Sequence, residues 1–441
     1  MKAHSIDSHI LNGIAKDRLV AFFAEKDRFF LLDSHIDKNP GYFGNAKAFL
    51  RYDWILGGGV SAVIEGDAGF PQTWETFLRE NEGCWTVGFL GYDLKNKLEN
   101  LSTTSPDHLQ LPGLLWWKPR WVVTSAAGKM EVWTDDEPEL VEEITGVIQT
   151  GAVPVDNEMP EGINLLQRTG RQSYLDKIRG LKEHIRRGDI YEINFCMEFY
   201  AGNVHTDAAR LLRKVSAESP MPFSAFINTP EFCVISASPE RFLQKSGNTL
   251  IAQPMKGTIR RGTSPEEDLR LIRELRGHPK EQSENVMIVD LVRNDFARSA
   301  SKGSVEVEEL FGIHTFPKVH QMVSTVRSQL RPEMSAAEAI GYAFPMGSMT
   351  GAPKIRAMQL IDEFEENARG IFSGSIGYMD PCGDMDMNVV IRTLVYNKKT
   401  KYLSLSVGSA ITIDADPEKE YEECMLKITP MLRALGVNGN K

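Results

Sequence analysis

Residues 171–199 read RQSYLDKIRGLKEHIRRGDIYEINFCMEF, and the hydrophobic period changes half-way along. Leu175, Ile178, Leu181 and Ile185 recur at helical spacing, with Ser173 as a candidate cap and Gly188 as a stop. Tyr191, Ile193, Phe195, Met197 and Phe199 then alternate with Glu192, Asn194, Cys196 and Glu198, the period of a strand. Downstream, FSAFI and FCVISA flank the turn signal Asn228-Thr229-Pro230. Ser264-Pro265-Glu266-Glu267 has capping-box spacing with Pro at the first helical position, so a helix starts there. Pro279 starts another through ENVMIVDLVRNDFA, and Asp416-Pro417 opens a last helix reaching about Leu435. Upstream, FFLLDS, DWILGGGVSAVIEG, WTVGFLGYDL and LLWWKPRWVVT read as strands between Gly-rich turns, not as helices. This mixed order predicts an α+β fold with a large, mostly antiparallel sheet component.

The chain has 441 residues, 42% hydrophobic and 25% charged, enough for a large core. Composition shifts from DDEPELVEE through GAVPVDNEMPEG, which predicts a boundary near residue 160 between parts 1–160 and 161–437. A net charge of −10 argues against a nucleic-acid or anionic-membrane surface but leaves room for a local anion pocket. Cys84, Cys196, Cys233, Cys382 and Cys424 are scattered without a CxxC, so neither a zinc site nor a disulfide framework is expected. The N-terminus lacks a continuous apolar signal region, and no run approaches the ~18 apolar residues of a membrane span. A cytoplasmic location is the expectation.

On the last helix, Glu420, Glu423 and Lys427 fall within about 60° of one another at 100° per residue. Tyr421, Met425, Ile428 and Leu432 form a separate stripe, which predicts that the acidic face is not the core face. Glu281 and Glu284 repeat the Glu-x-x-Glu spacing on the Pro279 helix, and Ile288 and Leu291 continue the line of Glu284. Two such pairs are either salt-bridged surfaces or oxygen ligands for a hard cation such as Mg2+. Glu240, after Ser238-Pro239, projects from a strand end. Lys256, where PMKGT turns from strand into loop, is either a surface residue or, once desolvated, an amine nucleophile of lowered pKa. Arg392 in MNVVIRTLVY is a lone cation among apolar neighbours and calls for a carboxylate of the protein or of a ligand. Gly347–Pro353, before a helix, and Val407–Ala410, after a strand, are turns or backbone anion sites.

Taken in order, GDIYEINF, SASPERF, PMKGTIRRG, KEQSENVMIVDLVRND, VHQMVSTV, MGSMTGAPKIRAMQLIDEFE, GSIGYMD, DMNVVIRT, VGSAIT and EKEYEECMLK resemble the chorismate-utilising enzyme family. These segments span about residues 170–430, and LLDS and GFLGYDL extend the likeness upstream. The resemblance implies one large chorismate-binding α/β sandwich, with packed antiparallel sheets and outer helices. It also makes the boundary near 160 a division between subdomains of one fold.

P-x-K-G-T, with Lys256, is similar to the branch that aminates chorismate at C4, whereas the C2-aminating and isochorismate-forming branches resemble P-x-A-G-T. The resemblance implies a covalent Lys256 adduct at C2 that ammonia displaces by attacking C4, giving 4-amino-4-deoxychorismate for 4-aminobenzoate and folate synthesis. Glu240 resembles the general acid for the departing hydroxyl. Glu284 and Glu423 resemble direct Mg2+ ligands, with Glu281 and Glu420 holding metal-bound water. Arg392, Gly408, Ser409, Ala410 and Lys427 resemble carboxylate-binding groups, and Thr258 and His320 line the ring site. Glu192 departs from the Gln usual in amine-using members and from the Lys of water-using ones. No G-x-C-x-G motif or spare segment is found, so a separate glutamine amidotransferase subunit is the expected ammonia source, and no lyase domain is expected. Competing readings are a C2-aminating anthranilate-forming subunit and a catalytically silent chorismate-binding subunit.

Overall fold

The computed structural model describes residues 1–6, 12–36, 50–153 and 163–437, so the boundary expected near residue 160 lies outside the described residues. Among the described residues, two antiparallel sheets of twelve and ten strands form the centre. The larger sheet joins strands from both parts of the chain. Lys2–Ile6, Lys129–Thr134, Trp121–Ala126, Trp54–Gly58 and Phe29–Asp33 lead through Phe223–Asn228, Phe232–Ser238, Thr393–Asn397 and Tyr402–Ile411 to Glu192–Ala201. The smaller sheet starts at the edge strand Met255–Arg260 and ends at Ala62–Glu65.

Face-to-face packing of the two sheets explains why the N-terminal runs are so apolar. Phe30, Ile55, Val122, Ile227 and Val234 of the larger sheet interlock with Val87, Phe89, Trp117 and Ile376 of the smaller one. The outer face of the larger sheet carries Tyr174, Leu175, Ile178 and Leu181 from one helix and Cys424, Ile428 and Met431 from another. The outer face of the smaller sheet is covered by Trp74, Val289 and Ile340. The result is an α/β/β/α sandwich, in agreement with the α+β expectation.

Several local expectations change. The helix Arg171–Arg187 is entered through Gly170, one turn before Ser173, with no side-chain cap. Its left-handed end at Gly188 is as read. Ser264 and Asp416 do cap their helices, accepting from the Glu267 amide and from the Glu418 and Lys419 amides. The apolar N-terminal runs form strands as expected, and helices Asn12–Phe23, Gln72–Glu80 and Pro138–Thr150, which no expectation covered, stand among them.

The strand Glu192–Ala201, read from its period of two, is buried along both faces. On the last helix, Glu420 shares the buried line of Cys424, Ile428 and Met431, while Tyr421, Met425 and Leu432 are only partly buried. The acidic face therefore overlaps the core face, contrary to the sequence expectation.

Candidate active site

The site lies where the edges of the two sheets approach, and each sheet brings one helix to it. Pro279–Ala297 packs on Met255–Arg260 and Val319–Gln329 of the smaller sheet. Pro417–Ala434 packs on Tyr402–Ile411 of the larger one.

PMKGT does not leave a strand for a loop: Pro254 separates Thr249–Gln253 from a second strand, Met255–Arg260. The register of that strand against Val319–Gln329 shifts between Met255 and Thr258, and a bulge of this kind re-aims the side chains within it. Gly257 has φ +83°, and a Cβ there would stand 2.8 Å from Glu281 Oε2. Only glycine fits that bulge without displacing Glu281.

Lys256 is thereby turned inward. Its side chain is 10% exposed, and its Nζ donates to Glu192 Oε1 at 2.8 Å. Burial alone pushes the Lys256 pKa down, but Glu192, Glu284 and Glu240 outweigh it and leave it raised. The expectation of a desolvated amine with lowered pKa is therefore overturned: at rest Lys256 is an ammonium ion, because its neighbour is a carboxylate.

Glu240 follows the strand Phe232–Ser238, as read, and its amide donates to Ser238 Oγ at 3.2 Å. Burial pushes the Glu240 carboxyl up to about 7, against the opposing pull of the Ser348 hydroxyl, Lys256 and Lys427. A carboxyl that titrates there can carry a proton at neutral pH and deliver it.

On the Pro279 helix, burial likewise pushes Glu284 up to about 7, opposed by Lys256 and Lys280. Glu284 Oε1 is buried, makes no hydrogen bond among the described residues and meets Lys280 at 3.6 Å. Lys280 Nζ also lies 3.3 Å from Glu420 Oε1, and Lys427 Nζ lies 2.7 Å from Glu423 Oε1. Burial raises the Glu420 pKa; at Glu423 it is overcome by Lys427, and the pKa falls. The four glutamates thus come from two helices onto one zone, with lysine ammonium groups between them. Lys280, which bridges the helices, escaped sequence reading; its only trace is the i,i+4 spacing to Glu284.

Arg392 occupies the link between Met385–Asn388 of the smaller sheet and Thr393–Asn397 of the larger, not a strand interior. Its φ is +51°, and its guanidinium has one polar contact among the described residues, Met221 Sδ at 3.8 Å. Burial lowers its pKa to about 10. Arg392 is only partly buried, and a guanidinium with no carboxylate partner among the described residues suits an anionic ligand.

Gly408, Ser409 and Ala410 lie inside the strand Tyr402–Ile411, not after a strand, and pair with Cys196, Phe195 and Asn194. Ser409 Oγ contacts Tyr174 Oη at 2.9 Å, and the Gly408 carbonyl accepts from Lys427 at 3.1 Å. A Cβ on Gly408 would stand 2.5 Å from Cys196 Sγ.

Thr258 and His320 do not share a face. Thr258 is directly opposite Gln321, whose Nε2 donates to Thr258 Oγ1 at 3.3 Å. His320, one residue earlier, points the other way and is fully buried. Its ring nitrogens contact Thr315 Oγ1 and Asp268 Oδ1, each at 2.9 Å. Strand alternation therefore puts Gln321, which sequence reading missed, beside Thr258, and leaves His320 engaged within the protein.

A family model described as chorismate binding enzyme matches residues 59–433. The chain belongs to the chorismate binding enzyme family. Aminodeoxychorismate synthase component 1 from Klebsiella aerogenes is 36% identical over 351 residues, covering 79% of this chain and 76% of the relative. Anthranilate synthase component 1 from Thermus thermophilus is also 36% identical, over 358 residues covering 79% and 77%. Overall identity to this chorismate binding enzyme therefore does not separate the two branches. The solved anthranilate synthase component I from Streptococcus pneumoniae superposes with a TM-score of 0.77 at 24% identity, covering 87% of this chain and 92% of that one, and shares the fold.

Among the described residues, no three His, Cys, Asp or Glu side chains converge closely enough to hold a metal ion as they stand. The donor chemistry of this chorismate binding enzyme nonetheless suits a hard cation: Glu284 offers an orphaned buried oxygen, and Lys280 already bridges Glu284 to Glu420 as a positive charge. A divalent ion fits if it replaces those lysine contacts. Among the described residues, no helix is long and apolar enough to cross a membrane.

Proposed function

We propose that this chorismate binding enzyme aminates chorismate at C4, giving 4-amino-4-deoxychorismate, with Lys256 as the covalent nucleophile. The observation that carries this reading is an inward-turned lysine, 10% exposed, with an inward-turned glutamic acid titrating at about 7 among its charged neighbours. Replacement at C4 with net retention requires two displacements, and an enzyme amine supplies the first. Lys256 gives up a proton to solvent by way of Glu192, which is left as carboxylate, and its neutral amine attacks C2 while Glu240 protonates the hydroxyl leaving C4. Ammonia then attacks C4 and expels Lys256 from C2.

Arg392 and Lys427 bind substrate carboxylate, and the Gly408–Ala410 strand borders it. Thr258 and Gln321 border the ring. Of the sequence candidates, His320 contributes only through the strand it steadies.

Glu284 and Glu423 would hold Mg2+ directly, with Glu281 and Glu420 beside them. Such an ion would supply positive charge that increases electron demand on the substrate ring. A separate glutamine amidotransferase subunit supplies the ammonia, in a cytoplasmic route to 4-aminobenzoate and folate.

Anthranilate formation is the competing reading, and the Thermus relative keeps it in view. Product analysis with chorismate, Mg2+ and ammonium chloride decides between them. 4-Amino-4-deoxychorismate is expected, and Lys256→Ala is expected to lower its formation about a thousandfold. Anthranilate as the main wild-type product would overturn the reading.

A further inference from the structure

Six carboxylates, Glu192, Glu240, Glu281, Glu284, Glu420 and Glu423, share the site with only three lysines, Lys256, Lys280 and Lys427. Acidic excess alone does not define a site; the second observation is at Glu192. This residue is 2% exposed and lies on the strand beside the Gly351–Ala352 edge. Its Oε1 holds Lys256, whereas its Oε2 is buried with no hydrogen-bond partner among the described residues. A buried carboxylate oxygen left unsatisfied is costly unless a ligand fills it. The amide of a glutamine would bring a donor of its own to this place; a carboxylate is acceptor-only and selects a donor cation.

We propose that Glu192 binds the second substrate as ammonium ion, through Oε2, and takes its proton to release ammonia beside the Lys256 adduct. This rests on the Lys256 reading above and names the form in which the amine enters. Ammonium gives one proton to the Glu192 carboxylate, and the freed lone pair forms the bond to C4. The C2–N bond breaks as the adduct nitrogen, a secondary ammonium, departs as the neutral Lys256 amine. The Glu192 carboxyl returns its proton to that amine, and the resting ion pair re-forms. Glu240, left as carboxylate after protonating the departing hydroxyl, is reset by a proton from the new C4 ammonium or from solvent. One carboxylate thus handles both amines, one oxygen for each.

The charged groups around Glu192 are Lys256 from the smaller sheet's edge and Glu284 from the Pro279 helix. Around Lys256 are also Glu240 and, from the last helix, Glu423 and Lys427. None of these supplies a hydrogen bond to Oε2.

The test is the half-saturating concentration of ammonium chloride, measured from pH 6.5 to 8.5 at constant ionic strength with saturating chorismate and Mg2+. Expressed as total ammonium, it is expected to stay within about twofold in the wild type, because ammonium is the dominant form throughout. In Glu192→Gln it is expected to fall about tenfold per pH unit, following free ammonia. A wild-type value that follows free ammonia overturns the proposal, and so does a flat profile in Glu192→Gln. Should that variant not fold, Glu192→Asp and the wild-type profile decide. Trapping with chorismate in the absence of ammonium separates the two readings. No Lys256 adduct breaks the covalent reading; an adduct together with ammonia-following kinetics breaks only the role of Glu192.

Discussion

Two arginines, Arg369 buried and Arg392 partly buried, show how this fold treats structure and function differently. Arg369 is 3% exposed and uses its guanidinium fully: Glu365 takes two of its bonds at 2.6 and 2.9 Å, and the Met349 and Asn194 carbonyls take others at 2.6 and 2.8 Å. Arg392 has only a thioether at 3.8 Å among the described residues, and burial pulls its pKa down to about 10. Arg369 joins the Glu192–Ala201 strand to the segment around Met349 and is complete without a ligand. Arg392, at the crossover between sheets, is incomplete without one. A charge left without a partner is the better marker of the site than burial or charge alone.

The contrast breaks most sharply under truncation. Arg369→Leu leaves Glu365 buried and unpaired, so it is expected to cost about 3–5 kcal/mol in urea unfolding. Arg392→Leu should leave stability unchanged or slightly higher while raising the KM for chorismate by about 1.5–3 kcal/mol in free-energy terms. A large loss of stability in Arg392→Leu would make it a second structural arginine.

Glu240 extends the contrast to acids. Its folded pKa of about 7 lies above the ordinary carboxyl value of 4.5, so the native state binds the extra proton between those pH values. Stability contributed by this group is full below pH 4.5 and is lost as pH rises through 7. Glu240→Gln is therefore expected to stabilise the fold by up to about 3 kcal/mol at pH 8, with the gain vanishing near pH 4.5. Its turnover should collapse at both pH values. Equal stability of the two proteins at pH 8, by thermal melts across pH, would show that Glu240 carries no such strain.

The smallest effect expected is at neighbouring residues on one strand. Gln321→Ala should alter turnover through about 1 kcal/mol with little change in stability. His320→Ala should do the reverse, because its partners are Thr315 and Asp268. Matching losses of activity in both would contradict the two-faced placement.

Local signals account for what the sequence disclosed. Caps at Ser264 and Asp416, the period-two run from Tyr191 and the strand end before Glu240 are written in adjacent residues. The missed features depend on distant partners. Alternation identifies two faces of the Glu192–Ala201 strand, but not that sheets and helices bury both. Glu420 looked solvent-facing until Lys280, from another helix, met it at 3.3 Å. Lys256 looked ready to be neutral until Glu192, 64 residues away, fixed it as a cation. His320 and Gln321 differ by one position, which a motif cannot resolve and a register does.

Mass spectrometry of the protein mixed with chorismate and Mg2+, in the absence of any amine, tests the central claim most directly. The account predicts a modification equal to chorismate less one water, mapped to Lys256 and discharged by ammonium chloride. Formation of aminated product by a protein that never carries this modification under slow turnover would contradict it.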